Sequence, residues 1–235
     1  MIGTTSSLTL PVMAGRSARL RCWQWAQALF QARLNGRYEL SVAARKQALF
    51  AGISGDVLEI GPGTGVNLVY LPVGIRWIGI EPNTYMHRYL RELGLKLGLS
   101  IDIRVGTAEQ LPVPDNSMGT VIGTQVLCSV SDPAKVLQEI QRVLKLGGRF
   151  LFVEHVAAPS GTSLRRWQRL ARPISALLGD ACHPDRETWS DIEHAGFAPI
   201  QMEHFEIKSA FLSKPHIAGV AIKQRSLAAE KGRVR

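Results

Sequence analysis

The sequence predicts an α/β protein: a largely parallel sheet with helices on both faces, ending in an antiparallel pair of strands. Three observations lead there. From residue 56 onward, short apolar runs alternate with helical segments, a rhythm that builds a parallel sheet covered on both sides. A glycine-rich turn, Gly61-Pro62-Gly63-Thr64-Gly65, follows the first apolar run, where a strand would turn into a helix. The last two apolar runs, residues 199–207 and 216–223, are joined by a loop with no helix between them, as antiparallel neighbours are.

Each element has its own signal. From Ser17 to about Phe50 the pattern is helical, with Leu20, Trp23, Ala26 or Gln27, Phe30 and Leu34 recurring at three or four. Asn35-Gly36 breaks that run, and a second helix carries Leu40, Ala43, Ala44 and Leu49. DVLEI, residues 56–60, is a short buried strand, and a short helix starts over Asn67 to Leu71. WIGIE, residues 77–81, is the second strand, with a helix from Asn83 to Leu97 behind it. IDIRVG, residues 101–106, is the third. Pro112, Pro114 and Asp115-Asn116 mark a loop, and residues 118–127 form the fourth strand and its exit. Asp132-Pro133 opens a helix, aspartate at the N-cap and proline in the first turn, that is expected to run to Gly147-Gly148. RFLFVEH, residues 149–155, is the fifth strand. No strand is expected over 159–182, and WSDIEHAGF is a helix stopped by Gly196, with Asp185 expected to cap it. The domain plan is therefore an N-terminal extension over 1–50, a poorly ordered start followed by helices, and a main domain over 51–223. Within it 159–195 forms a helical lid, and a basic tail fills 224–235.

Composition narrows the function classes. At 46% hydrophobic and 20% charged, the 235-residue chain can bury a sizeable core. Three cysteines, Cys22, Cys128 and Cys182, without tight spacing argue against a disulfide framework and a zinc site, so no metal is expected. No apolar run reaches the ~18 residues of a membrane span, and residues 1–21 lack the pattern of a signal peptide. A cytoplasmic setting is the expectation. The net charge of +9 is concentrated near the start, in residues 163–178 and at the C-terminus. The basic, apolar segment SLRRWQRLARPISALL, residues 163–178, suits peripheral association with an anionic membrane as well as it suits an ordinary lid helix. Nucleic acid is not an expected partner, because no aromatic residues interleave the basic ones in a recognisable module.

The glycine turn raises the question of which nucleotide it serves. The dinucleotide fingerprint requires a glycine at the sixth position, where Val66 stands. Glu59 lies just before the glycines, where it would oppose a pyrophosphate and suit a cation. Glu81 ends the second strand, about 20 residues after Gly61, where a carboxylate can accept both ribose hydroxyls. Ribose, positive charge and no phosphate together fit S-adenosylmethionine.

These residues resemble the class I S-adenosylmethionine-dependent methyltransferases over roughly 37–223. Glu59 through Gly65 are similar to the family's first motif and Ile80-Glu81-Pro82-Asn83 to its second. Residues 106–112 resemble the segment that packs on adenine, which brings in Ala108 and Glu109, although Thr107 stands where the family has an acid. The resemblance implies a Rossmann-like, seven-stranded sheet with the last strand antiparallel. Residues 126–130, 154–159, 185–189 and 215–223 resemble more closely the thiol S-methyltransferases, which include membrane-associated mammalian enzymes. A small apolar thiol is thus the expected acceptor, with N- or O-methylation of a phospholipid or quinone as the rival and a cofactor-binding module without turnover as the non-enzymatic one.

Further residues join the expected site by position. Tyr38 is placed to close over the methionine tail or to pack as a plain aromatic, and Met86 to cover adenine or fill core. Gln125, after the fourth strand, sees cofactor or substrate or caps a helix. Cys128 reads as a small buried hydrophobe, no neighbour being evident to lower its pKa. His155 ends the fifth strand and is the foremost general-base candidate, a structural hydrogen bond being its rival role. His183 lies in the segment that would roof the substrate, and Arg186 reads as a salt-bridge residue or a substrate clamp.

Overall fold

A computed structural model describes residues 18–34, 36–177, 182–208, 210 and 212–224 of the chain. The start expected to be poorly ordered, Asn35 of the expected helix break, residues 178–181 of the expected lid and nearly all of the expected basic tail lie outside these residues. Helices α1 (Ala18–Leu34) and α2 (Gly36–Phe50) precede the sheet. There follow β1 (Asp56–Ile60), β2 (Arg76–Ile80), α3 (His87–Lys96), β3 (Ile101–Arg104), β4 (Met118–Thr124) and α4 (Pro133–Val143). The chain continues through β5 (Leu144–His155), α5 (Ser163–Leu177), α6 (Thr188–His194), β6 (Ile200–Glu206) and β7 (Pro215–Ile222). A 3-10 turn at Leu68–Tyr70 stands where a short helix is expected.

The seven strands form one sheet in the order β3-β2-β1-β4-β5-β7-β6. β1 through β5 pair in parallel, while β7 runs antiparallel to both β5 and β6. The order reverses between β1 and β4, so the loops leaving those strands diverge to opposite faces and leave a crevice at their carboxyl ends. Alternate residues divide between two cores. Leu58, Val121, Phe150 and Phe152 pack with α4 and α6, whereas Val57, Trp77, Ile122 and Leu151 pack with Phe50 of α2 and Leu90 of α3. No helix among the described residues is long and apolar enough to cross a membrane.

Several expectations need correction. α4 ends at Val143, not at Gly147-Gly148; Leu144 turns to extended backbone and already pairs with Met118. The two glycines instead form an irregularity inside β5, where Gly147 has φ +76° and a Cβ on Gly148 would lie 2.8 Å from the Lys145 carbonyl. α3 starts at His87 rather than Asn83, because residues 83–86 form a turn closed by Met86 N–H donating to the Asn83 carbonyl. Glu187, not Asp185, precedes the first turn of α6. In α2 the inward residues are Val42, Lys46 and Phe50, and Leu40 is exposed. Lys46 is buried because its ammonium donates to Glu39 at 2.7 Å, which offsets its desolvation. The Asp132 N-cap is as expected, its Oδ1 accepting from Lys135 N–H at 3.0 Å.

Candidate active site

At the carboxyl end of β1 the ladder continues one step, Gly61 N–H donating to the Ile80 carbonyl at 2.9 Å. The chain then turns through Gly61, Gly63 and Gly65, at φ +58°, +57° and +91°. Only glycine adopts these angles without strain, and at each of the three a Cβ would meet a neighbouring side chain, of Val126, Gln31 or Leu90. A Cβ at Gly61 would lie 2.8 Å from Val126 Cγ2, so this loop touches the exit of β4 across the crevice. Glu81 ties the turn to β2. One carboxylate oxygen accepts from Gly63 N–H at 3.0 Å and the other from Asn83 N–H at 2.7 Å. Burial pushes the Glu81 carboxyl above its ordinary pKa, and those two N–H groups oppose the rise.

α1 roofs this corner, which local sequence patterns gave no means of finding. Asn83 Nδ2 donates to the Gln24 carbonyl at 3.0 Å and to Gln27 Oε1 at 3.3 Å. Gln31 Oε1 lies 3.0 Å from where a Gly63 Cβ would stand. Pro62 and Met86 are buried beside the turns and Pro82 is exposed. Glu109 accepts from Ser131 N–H at 3.0 Å, fastening the 106–112 segment to the approach of α4, and Ala108 packs on the core.

Glu59 faces inward. It is 1% exposed and accepts from Asn67 Nδ2 at 2.8 Å and from Trp77 Nε1 at 3.0 Å. Burial lifts its pKa to about 7. Asn67 also reaches Thr124 Oγ1 at 2.9 Å, so Glu59 supports the glycine turn from beneath and links β1 to β4.

Beyond β4, Gln125 takes a left-handed backbone at φ +56° while its N–H still bonds the Val153 carbonyl. The twist sends the chain back so that Val126 and Leu127 N–H groups both donate to Glu154 Oε1, at 2.9 and 3.1 Å. Glu154 is fully buried, its pKa raised to about 8 chiefly by desolvation. Tyr38 of α2 approaches this corner. Burial first, then the charge of Glu39, holds its phenol above the ordinary range, and Gln125 opposes the shift.

Next to it the structure gathers residues that the sequence kept far apart. His155 Nε2 lies 3.1 Å from Cys182 Sγ, and Cys128 Sγ belongs to the same group, all three atoms lying within 4.8 Å of one another. The Cys128 thiol is pushed well down, by its hydrogen bond with Cys182 first and by His155; the expectation that nothing nearby lowers it is therefore wrong. His155 is buried, yet the neighbouring Cys128 charge raises its pKa against that burial. His183 N–H donates to the Cys128 carbonyl at 2.8 Å, and its own pKa is lowered by desolvation and by Arg186. The Arg186 guanidinium donates to the carbonyls of Leu127 and Val130, so it staples the β4 exit to the lid segment. The signal available beforehand was positional, since VLCSV follows β4 and GDACHP lies in the expected roof.

The turn offers glycines, backbone N–H groups and buried carboxylates. Among its described residues no side chain carries the positive charge a pyrophosphate would want, while Glu81 suits ribose hydroxyls; a Cβ at Gly61 or Gly63 would crowd Val126 or Gln31. The residues thus fit S-adenosylmethionine. Comparison with known proteins agrees. A family model described as methyltransferase domain matches residues 58–152. The chain is 38% identical over 232 residues to thiol S-methyltransferase TMT1B of Rattus norvegicus, covering 92% of this chain and 94% of that one. It is 36% identical over 214 residues to Homo sapiens thiol S-methyltransferase TMT1A, covering 86% and 87%. Geranyl diphosphate C-methyltransferase of Streptomyces coelicolor A3(2), solved with Mg2+, geranyl diphosphate and S-adenosyl-L-homocysteine, superposes with a TM-score of 0.62. That match has 16% identity, covers 77% of this chain and 79% of the other, and reflects a shared fold.

Proposed function

Because the chain belongs to the S-adenosylmethionine-dependent methyltransferase family that contains the thiol S-methyltransferases TMT1A and TMT1B, we propose that its acceptor is a small, apolar thiol. The cofactor supplies a methyl group already activated on a positive sulfonium. Glu81 is positioned for its ribose, the Gly61–Gly65 turn for close backbone approach, and Asn83 and Met86 for the flank beneath α1. The protein then contributes mainly alignment and exclusion of water, and proximity alone is worth ~7–11 kcal/mol.

The observation that carries the thiol reading is the character of the acceptor wall. Leu127, Cys128, Val156, Ala157 and Ala158 are buried there, beside His155 and Cys182. Among the described residues the carboxylate at the wall, Glu154, spends an oxygen on two backbone N–H groups and, with its pKa about 8, is largely neutral at pH 7. An ammonium or amine acceptor finds no anionic partner in it. A thiol needs little help, since its pKa of ~8.5 leaves some thiolate at neutral pH. His155 faces the two cysteines rather than open solvent, so we assign it to those thiols and not to free general-base work.

A matched panel of alkyl thiols, phenols and amines with labelled cofactor tests the reading. Thiols are expected to yield S-methyl product and S-adenosylhomocysteine. Product from an amine, phenol or lipid, with none from any thiol, replaces it with the N- or O-methylation reading.

A further inference from the structure

Cys128, His155 and Cys182 come from three elements, the β4 exit, the end of β5 and the lid segment ahead of α6. Each is fixed independently. The Cys128 carbonyl is held by His183 N–H and the flanking carbonyls by Arg186. His155 pairs in register with His216 of β7, their rings 6.3 Å apart. Cys182 adjoins the anchored His183. Three side chains held this way converge with their sulfur and nitrogen atoms within 4.8 Å of one another and one pair at 3.1 Å. Ligands of a tetrahedral zinc, at ~2.0–2.3 Å from the ion, sit roughly 3.3–3.8 Å from each other. The cluster therefore needs only small side-chain shifts to close on an ion.

We propose that Cys128, His155 and Cys182 form a site for a thiophilic divalent metal such as zinc, whose fourth position takes the sulfur of the acceptor. The donor set is the two-thiolate, one-imidazole set of catalytic zinc sites that keep one position open. Two thiolates cancel the charge of the ion, which makes a buried site tolerable. Pairwise hydrogen bonds join Cys182 to His155 and to Cys128, and a shared ion is what would use the convergence of all three donor atoms on one point. The widely separated positions in sequence argued against a metal only because spacing is blind to convergence through the fold.

The metal site rests on geometry; its use in ionising the acceptor rests on the thiol reading above. When the acceptor binds, its S–H bond breaks, the proton leaves to solvent and a metal–sulfur bond forms. The sulfur lone pair then makes the new carbon–sulfur bond as the sulfonium carbon–sulfur bond breaks, that electron pair remaining on the departing thioether. At pH 7 a free thiol of pKa ~8.5 is about 3% thiolate, so full ionisation is worth up to about thirtyfold in rate.

The test begins with the full chain purified under reducing conditions without chelator. About one zinc per chain is expected by elemental analysis. Cobalt added to metal-free protein is expected to give a thiolate-to-cobalt absorption band, absent in Cys128→Ser and Cys182→Ser. Because those variants risk misfolding, the wild-type chain is also alkylated with and without zinc, and zinc is expected to protect Cys128 and Cys182. No retained metal, no cobalt band and no protection overturn the site, as does a Cys128–Cys182 disulfide recovered from anaerobically prepared protein. Chelation is expected to slow thiol methylation by up to about thirtyfold; unchanged turnover in demonstrably metal-free enzyme overturns the role assigned to the metal. Amine methylation by metal-loaded protein that ignores thiols sinks the acceptor reading while leaving the metal site standing.

Discussion

Gln125 keeps a left-handed backbone, at φ +56°, that costs a residue with a side chain ~1–2 kcal/mol. That strain lies at the carboxyl end of β4, beside Tyr38 and the glycine turn, where a distorted backbone usually serves a site. Gln125→Gly is expected to leave stability level or raise it by about 1 kcal/mol, glycine's greater freedom when unfolded offsetting part of the relief. It is expected to lower turnover at the same time. A melting curve and an initial-rate assay on one sample decide this; full activity would show that the side chain has no part in the site. Glu81→Ala is expected to weaken cofactor binding tenfold or more, since hydrogen bonds to a charged group are worth ~1.5–3 kcal/mol each. It also frees Gly63 N–H and Asn83 N–H, so calorimetry should find the loss larger than for Glu81→Gln, which keeps one acceptor. Equal affinity of a folded Glu81→Ala protein and the wild type contradicts the ribose assignment. Both residues were readable in sequence, because each follows directly from a strand end. Cys182 and Gln31 were not, since their neighbours are set by how α1 and the lid fold back over the sheet.

Among the elements, α5 faces two ways. Gln168 is fully buried, its amide donating to the Val156 and Leu212 carbonyls and its oxygen accepting from Ala158 N–H, while Arg165 pairs with Glu187 at 2.7 Å. On the other side Trp167 is 61% and Leu170 66% exposed, with Arg166 and Arg169 exposed beside them. A lid helix alone would not need that outward pair; a helix lying on an anionic bilayer would use both the apolar and the basic groups. The chain is expected to co-sediment with phosphatidylserine vesicles at low salt, less so at high salt, and Trp167→Ala/Leu170→Ala to reduce the bound fraction several-fold. Equal sedimentation of variant and wild type removes α5 from the membrane question. The alternation of strands and helices was legible because period and turn residues are local. The end of α4 was misread for the same reason: a Gly-Gly pair has the local look of a helix stop, and only pairing with β4 reveals that the strand has already begun.

For the molecule as a whole, two buried groups set opposing pH slopes. His216 donates from Nδ1 to the Lys214 carbonyl, and burial lowers its pKa to about 4. The unfolded chain, with histidine at ~6.5, binds the proton first, so this contribution to stability is present above that pH and is lost as pH falls through 4. Glu154, raised to about 8, works the other way: it is protonated in the folded chain when the unfolded chain has let go. Its contribution is full below the ordinary carboxylate range and is lost as pH climbs through 8. Relative to wild type, His216→Phe is expected to flatten the fall in melting temperature between pH 6.5 and 4, and Glu154→Gln to flatten the fall between pH 5 and 8. Parallel melting profiles for wild type and variant would show that the residue in question does not set the slope.

β7, the last strand among the described residues, lies between β5 and β6 rather than at the rim. A ribosome making this protein must therefore release residues 215–222 before the sheet can close. Until residues 215–222 emerge, the flank of β5 stays open, β6 has no neighbour, and His216 is missing from behind His155 and Tyr38. Synthesis cut short before that point leaves out the strand that pairs with β5 and backs His155. The order of manufacture thus withholds the backing of His155 until residues 215–222 are threaded into place.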